Sequence, residues 1–307
     1  MTGPARGHRH GPAGRVAGAH QGRLLGVLAL VLTVLVVEVA GGVLTGSLAL
    51  LADAGHMLVD VAGILLALLA VRFAGRPPTA DRTFGYYRLE ILAAVGNSVL
   101  LLGVAALVLV EAARRLLGTG THPVAGGWML VVAVAGLGSA GLSTWLLRHG
   151  QAESLNLRAA YLEVLGDLLG SAAVVVAAVV VALTGWWVAD PLASVLIALL
   201  ILPRTWHLLR EAVDILLEAT PRGIDLEEVR RHIVEAPGVA DVHDLHVWTI
   251  TSGMNVISAH VVLEPEAPAS RVLDRLCDCL AGHFDVEHST FQLEMADRQR
   301  QEGASHR

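Results

Sequence analysis

His56 and Asp60 lie four residues apart in GSLALLADAGHMLVDVAGILLALLAV, and Glu163 and Asp167 lie four apart in LRAAYLEVLGDLLGSAAVVVAAVV. On a helix, each pair stacks on one face. A glycine follows each aspartate by three positions, Gly63 and Gly170. Both stretches are mostly apolar and long enough to span a bilayer. A charged Asp at the bilayer centre costs about 2.5–3.5 kcal/mol, so four polar groups together cost on the order of 10 kcal/mol unless something offsets it. A bound divalent cation would offset it.

One imidazole and three carboxylates can form the tetrahedral nitrogen-and-oxygen site that zinc accepts. Cysteine is absent from the apolar region and Met numbers only 5, which argues against copper(I). Magnesium prefers an octahedron and retained waters, which a His-containing set suits poorly. Cobalt and cadmium are compatible with the same donors. All four ligands must be deprotonated to bind metal, so metal displaces protons and protons displace metal. Alternating access to such a site would exchange a cation for one or more protons. His56 is the expected proton carrier, because an ordinary imidazole titrates near physiological pH. The shared pattern [His/Glu]-x3-Asp-x2-Gly also hints at a structural repeat with the site at its interface. Asp53, three residues before His56, is either an outer ligand on the entry path or a hydrogen-bonding residue of the bundle. Glu38, Asn97 and Asp190 are lone polar residues, read as helix packing or capping groups.

The elements that must position these residues follow from composition. The chain has 307 residues, 54% hydrophobic and 16% charged, against about 25% charged in soluble domains. The apolar excess falls between about Leu24 and Leu209. Residues 1–22, with His8, His10 and His20, read as a tail that cannot bury a core. Six apolar segments follow, at about 24–44, 47–73, 88–116, 124–147, 159–183 and 188–209. Pro77, Pro78, Pro123 and Pro191 sit at the breaks.

With six spans, one side of the membrane receives Arg6, Arg9, Arg15, Arg23, Arg72, Arg76, Arg82, Arg88, Arg148, Arg158, Arg204 and Arg210. The other receives only Arg114 and Arg115. Basic residues stay in the cytoplasm. The expectation is therefore an integral, multi-pass protein surrounded by lipid, in a bacterial plasma membrane, with both termini cytoplasmic.

From about Glu211 the pattern becomes that of a soluble domain. Helices are predicted at 225–236 and 269–283, and strands at 239–250, 255–263 and 289–294. The fold class is thus an all-α six-helix transmembrane domain (23–210) followed by a small α+β cytosolic domain (211–296) of order α-β-β-α-β. That order makes an open-faced sandwich. Residues 297–307 form a tail. Cys277 and Cys279, two apart on one predicted helix, read as free thiols in a reducing compartment. The net charge of -6 comes with no basic patch, so nucleic acid is not an expected partner.

Two other function classes fit less well. A membrane-embedded metal-dependent hydrolase needs an open coordination position and a general base. Asp53 could serve as the base, but no span carries HExxH or a similar paired-histidine motif, and four closed ligands suit carriage. A passive channel would show pore-lining polar stripes rather than one compact site. Neither an enzyme nor a channel is expected.

The chain resembles the cation diffusion facilitators, six-span zinc and cobalt exporters. The resemblance covers Leu24 to Glu294 and rests on GSLALLADAGHMLVD, FGYYRLEILAA, SLNLRAAYLEVLGDLLGS, DLHVWTITSG and ISAHVVLE. It implies proton-coupled export of divalent metal from the cytosol by a homodimer, with the transport site at His56, Asp60, Glu163 and Asp167. Many zinc-selective members carry His where this chain has Glu163. Glutamate is a harder ligand, so selectivity broadened towards cobalt or cadmium is implied. The resemblance also points to a cytosolic zinc site at His243, His260 and Glu294. Strand alternation gives a different set. Ile257, Ala259, Val261 and Leu263 leave His260 on the polar face, Leu245 and Val247 leave His246 there, and Phe291 and Leu293 leave Glu294. Alternation therefore favours His246 over His243, and a bulge would reconcile the two. His288 is a further candidate. Metal bound there would draw the soluble domains of two protomers together.

Overall fold

The computed structural model describes residues 13–74, 76–118, 124–147, 155–284 and 286–296; the side chains of 13–28, 64, 67, 71, 74, 146–147 and 155–164 lie outside that description. Six long helices come first: α1 (Ala13–Thr45), α2 (Leu48–Ala74), α3 (Arg88–Leu116), α4 (Gly126–Leu147), α5 (Leu155–Thr184) and α6 (Ala189–Leu216). Among the described residues, five stretches are long and apolar enough to cross a membrane, one on each of α2 to α6. The described apolar part of α1, Ala29–Thr45, is shorter.

Two ends differ from the hydropathy reading. Helix α1 begins at Ala13, within the stretch read as an unfolded tail; His8 and His10 lie outside the described residues. Helix α6 continues to Leu216, past the predicted end of the sixth span. Loss of hydropathy ends a membrane span, whereas a helix continues while its residues tolerate helical geometry, as REAVDIL does.

The chain divides into two compact units, one comprising the chain through Ala62 with Leu100–Thr205, the other Gly63–Val99 with Trp206 onward. In the first, a core of small side chains (Ala49, Ala52, Ala105, Ala177, Ala178, Ala193) surrounds Leu50, Met129 and Ile197. Small residues let membrane helices approach closely, where lipid offers no hydrophobic drive to associate. A Cβ on Gly126 of α4 would lie 2.8 Å from the backbone nitrogen of Ala182 in α5.

In the second unit, α7 (Leu226–Val234), β1 (Val239–Thr251), β2 (Met254–Leu263), α8 (Ala269–Phe284) and β3 (Val286–Glu294) reproduce the predicted order. The sheet runs β1-β2-β3, antiparallel between β1 and β2 and parallel between β2 and β3, so α8 is the crossover that a parallel pair requires. Val272, Leu276 and Leu280 of α8, with Val229 and Ile233 of α7, bury one stripe each against the sheet. Asp225 caps α7 by accepting the backbone N–H of Glu227. Gly238, at φ +97°, makes the turn into β1, where a Cβ would stand 2.9 Å from Val272.

Candidate metal centres

Helix periodicity puts His56 and Asp60 on one face of α2. His56 Nε2 lies 3.3 Å from Asp60 Oδ2, and packing of α5 brings Asp167 Oδ1 to 3.2 Å from the same nitrogen. One donor atom from each of the three residues falls within 4.8 Å of the others. His56 is buried, and the two carboxylates are partly buried. The backbone of Glu163 lies one turn before Asp167 on α5, but its side chain is outside the described residues.

Small residues make room for this arrangement. A Cβ on Gly55 would sit 2.9 Å from Val104 of α3. Gly170 of α5 leaves space for Asp53, whose Oδ1 would be 3.6 Å from an added Cβ. Asp53 is buried and accepts a 3.2 Å hydrogen bond from Ser171 Oγ. It is not one of the clustered donors. A small apolar cavity lined by Leu101, Val104, Val108 and Ile197 reaches His56.

The N-terminus of α2 is fixed by a residue that sequence reasoning left among the packing and capping groups. Asp190, fully buried at the start of α6, accepts hydrogen bonds from Ser47 Oγ at 2.6 Å, Leu48 N at 2.8 Å and Ala49 N at 3.1 Å. Its Oδ2 also lies 3.3 Å from Nη1 of Arg115, which donates to the Gly46 carbonyl as well. Asp190 therefore satisfies the orphan donors of another helix, which its sequence position alone could not reveal. Asn97 packs against Gly63, where an added Cβ would meet its amide at 2.7 Å.

In the soluble domain, His243, His260 and Glu294 form a second cluster with donor atoms within 4.8 Å of one another. Glu294 Oε1 lies 3.2 Å from His260 Nδ1, and its Oε2 lies 3.5 Å from His243 Nε2. The two imidazoles meet edge to face with centroids 5.1 Å apart. Strict alternation had selected His246, and the structure corrects it. The register shifts between His243 and His246, and Asp244 adopts φ +50°. This bulge turns His243 in beside Val242 and opposite His260, and leaves His246 exposed, 3.0 Å from Asp244 Oδ1. His288 packs edge-on against Phe84 instead. The inward set fits a divalent metal: two imidazoles and one carboxylate supply three donors, and the Glu294 carboxylate is nearly enclosed with Oε2 lacking a hydrogen-bond partner. Glu294 would be the negatively charged ligand there, holding the two rings towards a shared ion.

Comparison with known proteins finds the same division into a membrane and a soluble domain. Residues 24–217 match the family model described as cation efflux transmembrane domain, and residues 221–296 match the one described as cation efflux protein, cytoplasmic domain. The chain is 45% identical over 301 residues to a metal cation efflux system protein, CzcD, of Cupriavidus metallidurans, covering 98% of this chain and 93% of the relative. It is 46% identical over 274 residues to the zinc transporter ZitB of Escherichia coli, covering 89% and 87%. A cadmium, cobalt and zinc/H(+)-K(+) antiporter of Bacillus velezensis is 38% identical over 296 residues, covering 94% and 92%. A solved structure of the metal-bound C-terminal domain of the C. metallidurans CzcD transporter is 42% identical, covering 24% of this chain and all of that one, with a TM-score of 0.23. With membrane helices that carry a compact donor cluster and both of its domains matched to the same family, this chain belongs to the cation efflux family of membrane metal transporters.

Proposed function

We propose that the protein exports zinc, and also cobalt or cadmium, from the cytosol in exchange for protons. The observation that carries this reading is the meeting of His56, Asp60 and Asp167 from two apolar helices, with one donor atom of each within 4.8 Å of the others. Glu163 completes the set as the fourth ligand, one helical turn from Asp167. Zinc is named in the ZitB relative, and cadmium, cobalt, zinc and protons are named in the B. velezensis antiporter.

The residues account for the coupling. Two aspartates and an imidazole are ligands only when deprotonated, so protons from the far side evict the metal they compete with. A divalent ion cancels two of the three carboxylate charges of Asp60, Glu163 and Asp167 inside the membrane, and two protons would cancel the same number. The loaded and the protonated site thus carry the same charge across the bilayer. Asp53, one turn from His56 and held by Ser171, is an outer station on the path and not a ligand of the compact set.

The membrane domain takes residues 23–210 and the soluble domain 211–296, with both termini in the cytoplasm of a bacterial cell and lipid around the spans. The functional form is a homodimer, in keeping with the ZT_dimer family of the soluble domain. Cytosolic zinc on His243, His260 and Glu294 joins the two soluble domains and favours one transport state.

The test is flux. Purified protein in lipid vesicles under an imposed pH gradient should accumulate zinc or cobalt, and Asp60→Ala or Asp167→Ala should reduce uptake to the level of empty vesicles. Undiminished uptake in both variants would remove the proposed site.

A further inference from the structure

The bulge in β1 does more than turn His243 inward. Between the His243–His260 and His246–Ser258 pairs, Asp244 and Leu245 stand against Ala259 alone, so β1 accommodates one extra residue. Leu245 enters the core. Asp244 takes the left-handed bend at φ +50°, a conformation that Asp, Asn and Gly accept more readily than other residues. The bend sets its carboxylate beside the imidazole of His260, with Oδ2 3.7 Å from Nε2 of that ring.

His260 therefore has a carboxylate near each ring nitrogen. Glu294 Oε1 lies 3.2 Å from Nδ1, and Gln292 Nε2 donates to that same oxygen. Glu294 shares a donor cluster with His243, so Nδ1 is the nitrogen on the metal side. Nε2 is the nitrogen on the side of Asp244. An imidazole that gives one lone pair to a metal carries its proton on the other nitrogen. In most metal sites that second N–H is held by a carboxylate, a carbonyl or a water. Asp244 stands where such an acceptor is needed. Its Oδ1 lies 3.0 Å from Nε2 of the exposed His246, which steadies the carboxylate from the solvent side.

We propose that Asp244 is a positioning residue of the cytosolic metal site. It accepts the Nε2–H of His260, keeps the Nδ1 lone pair aimed at the ion and makes that ring a stronger donor, without itself touching the metal. This rests on the reading of His243, His260 and Glu294 as a metal site. A small tilt of the His260 ring brings the 3.7 Å separation to hydrogen-bonding distance.

The experiment measures zinc affinity at the class of sites that His243→Ala removes. Full-length protein in detergent competes with a chromophoric zinc chelator, as wild type, Asp244→Asn, Asp244→Gly and His243→Ala. Asn and Gly both tolerate the left-handed bend, so the bulge and the inward His243 survive. Asparagine still offers a carbonyl but no charge, and glycine offers no acceptor. The Kd of that class should rise about 10-fold in Asp244→Asn and about 100-fold in Asp244→Gly, with full stoichiometry at saturating zinc. Cobalt(II) in place of zinc gives a second reading that the bulge geometry alone would not move. The ring N–H of His260, shifted in the proton spectrum by the paramagnetic ion, should exchange with water faster in Asp244→Gly than in wild type. Wild-type affinity in either variant, or an unchanged exchange rate, overturns the proposal. Should Asp244→Gly fail to fold, the affinity of Asp244→Asn decides alone. His243→Ala separates the two ideas. Unchanged zinc stoichiometry in that variant removes the cytosolic site itself, whereas its loss alongside wild-type Kd in both Asp244 variants removes only the role of Asp244.

Discussion

Replacing Asp190 by alanine should loosen the end of α2 that leads to the metal site. Asp190 is wholly enclosed and accepts from a hydroxyl, two backbone N–H groups and a guanidinium. Ser47 Oγ would still accept from Leu50 N, so one cap of α2 survives. Leu48 and Ala49 would lose their acceptor, a capping loss of about 0.5–2 kcal/mol. Arg115, 8% exposed, would keep the Gly46 carbonyl and the half-exposed Glu111 but lose its buried counter-charge. Removing one member of a buried ion pair typically costs about 3–5 kcal/mol. The two costs overlap, and about 4 kcal/mol is a fair total, close to a thousandfold in the folded-to-unfolded ratio.

Reversible unfolding of the detergent-solubilised protein with increasing denaturing surfactant measures this directly. Leucine at both Asp190 and Arg115 strands no charge, so the double variant should be clearly more stable than the sum of the single losses. Because His56 lies eight residues along α2 from Leu48, about 12 Å, zinc affinity should also weaken in Asp190→Ala. Stability of Asp190→Ala within about 1 kcal/mol of wild type, or additive losses in the double variant, would refute the clamp.

Other expectations follow from the two metal clusters. Glu163→His should shift uptake in vesicles towards zinc and away from cobalt, because a carboxylate is exchanged for an imidazole; unchanged relative rates would remove Glu163 from the ligand set. His243→Ala should lower the zinc stoichiometry of the full-length protein by about one per protomer, while His246→Ala leaves it unchanged. The opposite result in equilibrium dialysis would restore the alternation-based set. Lowering the pH of the metal-loading side through the ordinary imidazole range should raise the Kd for zinc, since protons compete for the same lone pairs; a flat profile would disconnect binding from proton exchange.

Much of this was legible without coordinates. Runs of apolar residues fix membrane helices because a span needs a given length of hydrocarbon-compatible chain, and the observed helices from α2 to α5 lie within a few residues of the predicted spans. The His56/Asp60 pair was visible because 3.6-residue periodicity is a local property. Alternating apolar positions likewise gave the strands and helices of the soluble domain in their observed order.

Other features depended on contacts distant in sequence. That His56 meets Asp167, 111 residues away, is decided by how α2 and α5 pack, which no spacing encodes. The selection of His243 over His246 required a register shift, and a bulge arises from the pairing of two strands rather than from the pattern of either. Asp190 and Glu38 looked alike in sequence, each a single acid in or beside an apolar run. The tertiary structure separates them, since one is surrounded by donors and a guanidinium while the other is buried against a glycine with one oxygen lacking a hydrogen-bond partner. A sequence records which groups are present, but the charge and hydrogen-bonding character of their surroundings exist only once the helices are packed.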